Sequence, residues 1–321
     1  MRHQLLIGLL ACFASTTFAA ANDYPTRPVT LVVPFTPGGG TDIMARLLAN
    51  NLSQSLGKPV IVENKPGAGG TIGTDKVAQA EPDGYTILMG SVSTISINPS
   101  LYKNLAANPL TDLAPVSPVA LTPSVLAVPN SLPVSSVRDL VALAKEKPDS
   151  VNFGSAGHGT SHHLAGELFK MQTGIHATHV PYKGSAPALL GLIRGEVQFM
   201  IANIPSLQSA IEGKQIKPLA VTSLTRSAQY PDLPTVAESG LPGFEVIVWY
   251  GVFAPKNTPE PIINKLNAEI RKVVAMPDMR KRLIADGAEP MNATPGEFAQ
   301  RIQSDYEKWK KVIDAAGVQL N

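Results

Sequence analysis

The chain has 321 residues, of which 44% are hydrophobic and 16% charged, so it carries enough apolar material for packed cores and is not a disordered composition. Its 27 Lys and Arg residues against 25 Asp and Glu give a formal net charge of +2. That balance lacks the concentrated basic surface of a nucleic-acid-binding protein, and the length favours two domains over one.

The first residues predict a secretory signal peptide over residues 1–21. Arg2 begins a short polar segment, residues 5–13 are almost wholly apolar, and small residues follow. This order is typical of a cleaved leader, and the apolar run is too short for a permanent membrane-spanning helix. We expect cleavage after Ala19 or Ala21 and release of the mature protein into the periplasm.

Cys12 is the only cysteine and lies inside this leader. A lipid anchor on Cys12 is the alternative to ordinary cleavage. After cleavage the mature chain would have no cysteine, which excludes disulfides, a catalytic thiol and cysteine metal sites.

After the leader, short apolar runs alternate with segments of helical periodicity. This alternation predicts an α/β protein with a largely parallel sheet. The predicted strands lie at residues 29–34, 59–63, 85–89, 125–129, 151–153, 178–182, 197–201 and 216–222. The predicted helices lie at residues 41–56, 71–79, 137–147, 160–172 and 185–194, with three consecutive helices at 259–275, 277–285 and 295–316.

Three turns join a strand to the start of a helix through glycine and hydroxyl residues, at residues 35–42, 155–161 and 182–186. Such turns direct backbone N–H groups and the positive end of a helix dipole at one point, which favours an anion. A single turn of this kind is explained by ordinary helix capping. Three of them in one chain predict a site that holds a carboxylate without arginine.

Enzyme motifs are missing. The first turn lacks the Gly-Lys-Ser/Thr ending of a P-loop and the spaced dinucleotide glycines, and no Gly-x-Ser-x-Gly elbow occurs. We therefore expect no catalytic residue and no cofactor. His163 and Glu167 are four residues apart and predict a pair on a helix surface rather than a metal site. Asp42 either compensates the helix dipole or receives a ligand ammonium group.

Several motifs, spread in order over almost the whole mature chain, resemble the tripartite tricarboxylate transporter substrate-binding family, also called Bug receptors. They are PFTPGGGTD at 34–42, VENKPGAGG at 62–70, PDGYT at 82–86, FGSAG at 153–157, VPYKG at 180–184, PDLPTVAE at 231–238 and WYG at 249–251.

The resemblance implies a two-lobed, type II periplasmic-binding-protein fold with a ligand cleft between the lobes. Residues 22–124 and 248–321 would form lobe one, and residues 125–247 lobe two. Family ligands are small carboxylic acids or acidic amino acids, held mainly by backbone and hydroxyl groups. By motif, the implied contacts are Phe35, Thr36, Pro37, Gly38, Gly39, Gly40, Thr41 and Asp42; Ser91 and Ser93; Ser155, Ala156, Gly157, Gly159, Thr160 and Ser161; Tyr182, Lys183, Gly184, Ser185 and Ala186; and Asn203.

One departure from the family pattern affects the expected ligand. Many relatives carry an Asp before the Asn that follows the strand at 197–201, whereas here the pair is Ala202-Asn203. Because this Asp carboxylate is replaced by Ala202, a ligand with an amino group is less well supported. The resemblance implies a monomeric receptor that delivers its ligand to membrane permease subunits. A receptor that addresses a sensor kinase, and an exported hydrolase, are the alternatives.

Overall fold

The structure is a computed structural model that describes residues 23–148 and 150–320. The predicted leader, its cleavage site and Cys12 lie outside the described residues. No helix in the described part of the chain is both long and apolar enough to cross a membrane.

The first part of the chain is built from strand–helix units. In order, the elements are β1 Val29–Val33, α1 Gly40–Leu56, β2 Val60–Asn64, α2 Thr71–Ala78, β3 Thr86–Ser91, α3 Asn98–Leu101 and α4 Pro109–Asp112. A short 3₁₀ turn, Ala68–Gly70, precedes α2, and a π-helical turn, Ser93–Ile97, follows β3.

The middle of the chain repeats this scheme, and helices dominate the end. The elements are β4 Leu113–Pro129, α5 Val137–Glu146, β5 Asn152–Ser155, α6 Ser161–Thr173, β6 Thr178–Pro181, α7 Ser185–Ile193, β7 Phe199–Asn203, α8 Ile204–Glu212, β8 Ile216–Val221, β9 Ile247–Pro255, α9 Glu260–Ala275, α10 Pro277–Ala285, β10 Glu289–Pro290 and α11 Pro295–Ala316.

The sheet is mixed, which corrects the expectation of a largely parallel one. The strand order is β2-β1-β3-β9-β4-β7-β5-β6, with β8 and β10 pairing β4 off this path. Pairs at both ends of the order, such as β1 with β3 and β5 with β7, are parallel. The central strands β9 and β4 run antiparallel to each other and to their outer neighbours.

Strand β4 crosses from one half of the molecule to the other. Residues 113–123 pair with β9, and residues 124–129 pair with β7 and β8. The fold is therefore two-lobed, with β4 continuous between the lobes. Sequence analysis predicted only residues 125–129 of this strand. The earlier part of β4 was not predicted because it contains Pro115, Pro118 and Pro123, and proline cannot donate a hydrogen bond to a neighbouring strand. The pairing register with β9 shifts next to Pro115 and Pro118.

Helices cover the sheet and bury its apolar side chains. Trp249 and Phe253 of β9 pack against Phe298 of α11. The indole N–H of Trp249 donates to Asp305 at 2.8 Å, so this buried polar atom is satisfied. The core thus fixes β9 against α11 and holds the central strands in place beside the cleft.

Candidate ligand site between the lobes

A cavity lies where the first turns of four helices meet the C-terminal end of β3 and the N-terminal half of β9. The cavity and its mouth together enclose about 340 Å³ of space not filled by protein atoms. Its lining residues are Phe35, Gly39, Gly40, Thr41, Ser91, Ser93, Ala156, Thr160, Ser161, His162, Ser185, Asn203, Val248 and Tyr250. Both halves of the sheet contribute, so the cavity lies between the lobes.

The start of α1 forms one wall, and it approaches the opposite lobe closely. The N–H of Gly40 donates to the Ser206 hydroxyl of α8 at 2.9 Å. A Cβ at Gly40 would overlap Asn203 Oδ1 and lie 2.6 Å from the Tyr250 hydroxyl oxygen. Only glycine leaves room for this contact between lobes.

The start of α6 forms the facing wall. Thr160 is the N-cap of α6, and its hydroxyl accepts the His163 N–H at 3.4 Å and donates to the Gly157 carbonyl at 2.8 Å. The Ser161 N–H donates to the Ser93 hydroxyl of the opposite lobe at 2.8 Å. The lobes are therefore in contact on both sides of the cavity.

Two further helices, α7 and α8, begin at the cavity with Ser185 and with the N-cap residue Asn203. Each helix start leaves N–H groups without partners inside the helix and carries a partial positive charge. One dipole contributes about 0.3–1 kcal/mol, and a hydrogen bond to a charged group about 1.5–3 kcal/mol. Four converging helix starts can therefore hold an anion without a cationic side chain.

A hydrogen-bond chain fixes the tautomer of His162. Asn203 Oδ1 accepts from both the N–H and the hydroxyl of Ser206, at 3.1 and 2.7 Å. The Asn203 amide nitrogen therefore faces His162 Nε2, at 3.0 Å, and donates to it. Burial lowers the pKa of His162 to about 4, so the ring is neutral at pH 7. Its single proton must then lie on Nδ1.

Two donors at the cavity are buried without partners. His162 Nδ1 and the Tyr250 hydroxyl have no hydrogen-bond partner among the described residues. Burial raises the pKa of Tyr250, so its hydroxyl keeps its proton. An unsatisfied buried donor costs about 1–3 kcal/mol, and a ligand oxygen would relieve that cost.

None of the described residues that line the cavity is Asp, Glu, Lys or Arg. Asp42 is buried, but its carboxylate accepts from Gly38, Arg46 and Asn64, each at 2.9 Å. Burial alone would raise the pKa of Asp42, but these three hydrogen bonds together lower it. Asp42 therefore stabilises the first turn, and its carboxylate is already occupied by protein donors.

Some of the ligand contacts predicted from the sequence line the cavity, and the others lie outside its lining. Those in the lining are Phe35, Gly39, Gly40, Thr41, Ser91, Ser93, Ala156, Thr160, Ser161, Ser185 and Asn203. Those outside the lining are Thr36, Pro37, Gly38, Asp42, Ser155, Gly157, Gly159, Tyr182, Lys183, Gly184 and Ala186.

Several outer residues have other contacts. Lys183 is exposed, and the Tyr182 hydroxyl donates to Glu196 at 3.1 Å. The Ser155 hydroxyl lies 2.6 Å from His179 Nε2. Gly184 has φ +131°, and a Cβ there would overlap Thr36 of the opposite lobe. Gly184 thus serves the contact between lobes through its missing side chain.

Three lining residues were not predicted from the sequence: His162, Val248 and Tyr250. Val248 and Tyr250 are two residues apart on β9, so they share a face of the strand. The WYG motif was noticed, but its apolar neighbours gave no sign that a hydroxyl faces a cavity. His162 follows Ser161 at the helix start, and that adjacency was the available signal.

The predicted pair of His163 and Glu167 forms, but the prediction that it lies on a helix surface is wrong. Both residues are buried, at 4% and 9% exposure, and His163 Nε2 lies 3.9 Å from the Glu167 carboxylate. Glu167 also pairs with Lys170, more closely, at 2.8 Å. Helical spacing places two residues on one face, but it does not say which face is packed.

Comparison with known proteins agrees with this architecture. Residues 44–318 match the family described as Tripartite tricarboxylate transporter family receptor. Protein BugT of Bordetella pertussis is 39% identical over 325 aligned residues, which cover 100% of both chains.

Two similar solved structures hold dicarboxylates. Rpa4515 of R. palustris with adipate superposes with a TM-score of 0.90 at 40% identity, covering 92% of this chain and 99% of that one. MatC of Rhodopseudomonas palustris with bound malate superposes with a TM-score of 0.86 at 35% identity, covering 90% and 100%.

Proposed function

Because the chain belongs to the tripartite tricarboxylate transporter receptor family, we propose that it binds a small carboxylate between its lobes and delivers it to membrane permease subunits. The observation that carries this proposal is a cavity between two lobes at which four helix starts and several hydroxyl groups converge. The family match supports a receptor rather than an enzyme.

The ligand contacts would come first from the lining residues. Backbone N–H groups of the α1, α6 and α7 starts would bind carboxylate oxygens, together with the hydroxyls of Ser91 and Ser185. His162 Nδ1 and the Tyr250 hydroxyl would donate to further ligand oxygens. The predicted residues outside the lining would act by shaping the turns.

The ligand class that we propose is a small dicarboxylate. The cavity offers donors from both lobes, and such a ligand has acceptors at both ends. An acidic amino acid fits less well, because a buried ammonium group needs an acceptor or a counter-charge and Asp42 is already occupied. The dicarboxylates in Rpa4515 and MatC support this class.

We assign residues 22–124 and 248–321 to lobe one and residues 125–247 to lobe two. The change of pairing partner along β4 between Pro123 and Ser124 supports this division. A ligand that contacts both lobes would stabilise the closed arrangement, because it loses half of its contacts when the lobes separate.

A thermal-shift screen of purified protein tests the ligand class. Adipate, malate and succinate would be compared with aspartate and glutamate at equal concentrations, followed by calorimetry on the acids that raise the unfolding midpoint. The proposal expects dicarboxylates to stabilise the protein more than the amino acids do. Stabilisation by none of these acids, or by the amino acids alone, would contradict it.

Export and delivery need tests in the cell. The predicted leader implies a periplasmic form that begins at residue 20 or 22, and the intact mass of the periplasmic fraction tests this. Deletion of the permease genes that act with this receptor should abolish uptake of the bound acid. Uptake that persists, with loss of a transcriptional response to the acid instead, would favour a sensor partner.

A further inference from the structure

Three histidines gather in lobe two, outside the lining of the ligand cavity. His158 lies in the loop before α6, His163 in the first turn of α6, and His179 in β6. One ring nitrogen of each lies within 4.8 Å of the ring nitrogens of the other two. We propose that these side chains form a binding site for one divalent transition-metal ion of the zinc, nickel or copper type.

The ligand set determines this class of metal. Three neutral imidazoles suit Zn²⁺, Ni²⁺ and Cu²⁺, whereas Mg²⁺ and Ca²⁺ require oxygen ligands. Zinc–nitrogen bonds of about 2.0–2.1 Å in tetrahedral geometry place ligand nitrogens about 3.4 Å apart. The three side chains therefore need to close by only about 1.4 Å at most from the separation in the structure.

Ring orientation sets the movement that binding requires. The rings of His163 and His179 are stacked, with centroids 3.9 Å apart and planes 17° apart. Imidazole lone pairs lie in the ring plane, so stacked rings do not yet point them at one spot. Metal binding would therefore require a rotation about χ2, which is a broad torsion, in at least one of the two rings. His158 is exposed and its ring lies edge-on to both, so it can complete the site from solvent.

His163, which is buried, and His179, which is half-buried, each have a partner that can orient the ring while the other ring nitrogen binds metal. His179 Nε2 lies 2.6 Å from the Ser155 hydroxyl, which itself contacts the backbone of Gly157. This leaves His179 Nδ1 for the ion. Metal-binding histidines usually donate their second N–H to such a partner.

His163 would exchange one weak hydrogen bond for the metal. Its Nδ1 accepts the Gly159 N–H at 3.3 Å, and an ion at Nδ1 would displace that contact. His163 Nε2 would then carry the proton, facing the Glu167 carboxylate 3.9 Å away. A shortening of that distance to hydrogen-bond range would give the carboxylate–histidine–metal arrangement, with the fourth position left to water.

The experiment uses the mature chain without a histidine tag, stripped with a chelator and titrated with Zn²⁺ or Ni²⁺ by calorimetry. One ion per chain should bind, and the unfolding midpoint should rise with metal concentration. His158→Ala should weaken binding about tenfold or more, and because His158 is exposed the variant should still fold. His176→Ala, which removes an exposed histidine outside the cluster, is the matched control and should bind like the parent.

A Cu²⁺ ion bound at the site allows the number of coordinating nitrogen atoms to be measured directly. Electron paramagnetic resonance of the Cu²⁺ form should show coupling to three nitrogens, falling to two in His158→Ala and unchanged in His176→Ala. Absence of binding by the parent, or equal affinity of His158→Ala and His176→Ala, would overturn the proposal. Carboxylate binding can be measured separately on the same metal-free protein, so the two proposals fail independently.

Discussion

At the scale of single residues, the Tyr250 hydroxyl and His162 Nδ1 stand out as buried donors at the cavity with no partner among the described residues. A folded protein tolerates such groups at a cost of about 1–3 kcal/mol each. That cost has a natural explanation where a ligand supplies the missing acceptor. Binding and stability should therefore respond in opposite directions when such a donor is removed.

Tyr250→Phe is expected to weaken binding of the identified carboxylate by about 1–3 kcal/mol, which is roughly 5- to 150-fold. The same change should leave the free energy of unfolding of the ligand-free protein unchanged or slightly higher, because an unsatisfied hydroxyl is removed from the interior. Calorimetry measures the first quantity and denaturant unfolding the second.

Tyr230→Phe is the matched control for this experiment. The Tyr230 hydroxyl is also buried without a partner among the described residues, but Tyr230 does not line the cavity. Its loss should leave affinity unchanged. Equal affinity losses in the two variants would show that Tyr250 acts through general packing and not through the ligand.

The buried imidazole of His162 predicts a loss of stability in mild acid. Burial lowers the pKa of this histidine to about 4 in the folded protein, against about 6.5 in the unfolded chain. Between these pH values only the unfolded chain holds the proton, so stability is fully present above pH 6.5 and falls as pH drops toward 4. One such proton corresponds to about 1.4 kcal/mol per pH unit.

Desolvation also lowers the pKa values of the buried His163 and the half-buried His179, so the test compares variants and not absolute slopes. Denaturant unfolding at several pH values between 7 and 4.5 gives the slope for the parent and for His162→Gln. The variant should show a slope smaller by about one proton. Parallel slopes would mean that His162 is already protonated in the folded protein.

At the scale of secondary-structure elements, the helix starts have two separable roles. Thr160 caps α6, because its hydroxyl accepts the His163 N–H and also bonds Gly157. Ser136 caps α5 far from the cavity, where its hydroxyl accepts the Asp139 N–H at 3.1 Å. The two caps allow stability and ligand binding to be distinguished.

Thr160→Ala and Ser136→Ala should each lower the free energy of unfolding of the ligand-free protein by about 1 kcal/mol, the usual cost of losing an N-cap. Only Thr160→Ala should also weaken ligand binding, because Thr160 lines the cavity. Unfolding curves and calorimetry on both variants measure the two effects. If Thr160→Ala bound the ligand with unchanged affinity, the Thr160 hydroxyl would only cap α6 and would not contact the ligand.

At the scale of the whole molecule, the proposed closure of the lobes would depend on the close approach at Gly40. The Gly40 N–H reaches Ser206 of the opposite lobe, and a Cβ at Gly40 would overlap Asn203. Separation of the lobes relieves the overlap with Asn203, so a side chain here should disfavour the closed form far more than folding itself.

Gly40→Ala should lower ligand affinity at least about tenfold and prevent the ligand-induced decrease in radius of gyration seen by small-angle scattering. The unfolding midpoint of the ligand-free variant should fall by less than the affinity, because opening relieves the overlap with Asn203 but the added Cβ still lies 2.6 Å from the Tyr250 hydroxyl of the same lobe. Gly296→Ala is the control, because a Cβ there meets nothing within 4 Å. If the radius of gyration of Gly40→Ala decreased on ligand addition as in the parent, closure would not depend on the contact at Gly40.

The sequence by itself determined most of the local elements and identified most of the helix starts that meet at the cavity. β-branched runs such as residues 29–34 predicted strands, and the structure has β1 at Val29–Val33. The prolines near 277 and 295 marked helix starts that the structure has at those residues. The glycine and hydroxyl turns predicted helix starts that could hold an anion, because a turn and a first helical turn depend on residues close in sequence.

Only the tertiary structure decided which of these groups meet. The prolines of β4 concealed a strand that long-range pairing with β9 holds in place. Asn203 and His162 are 41 residues apart, so the contact that fixes the His162 tautomer has no local signal. Tyr250 and the buried face of His163 were missed for the same reason. The hydrophobic periodicity and composition of a segment indicate which secondary structure it can form. Residues distant in sequence decide which side chains are buried, paired or left free for a ligand.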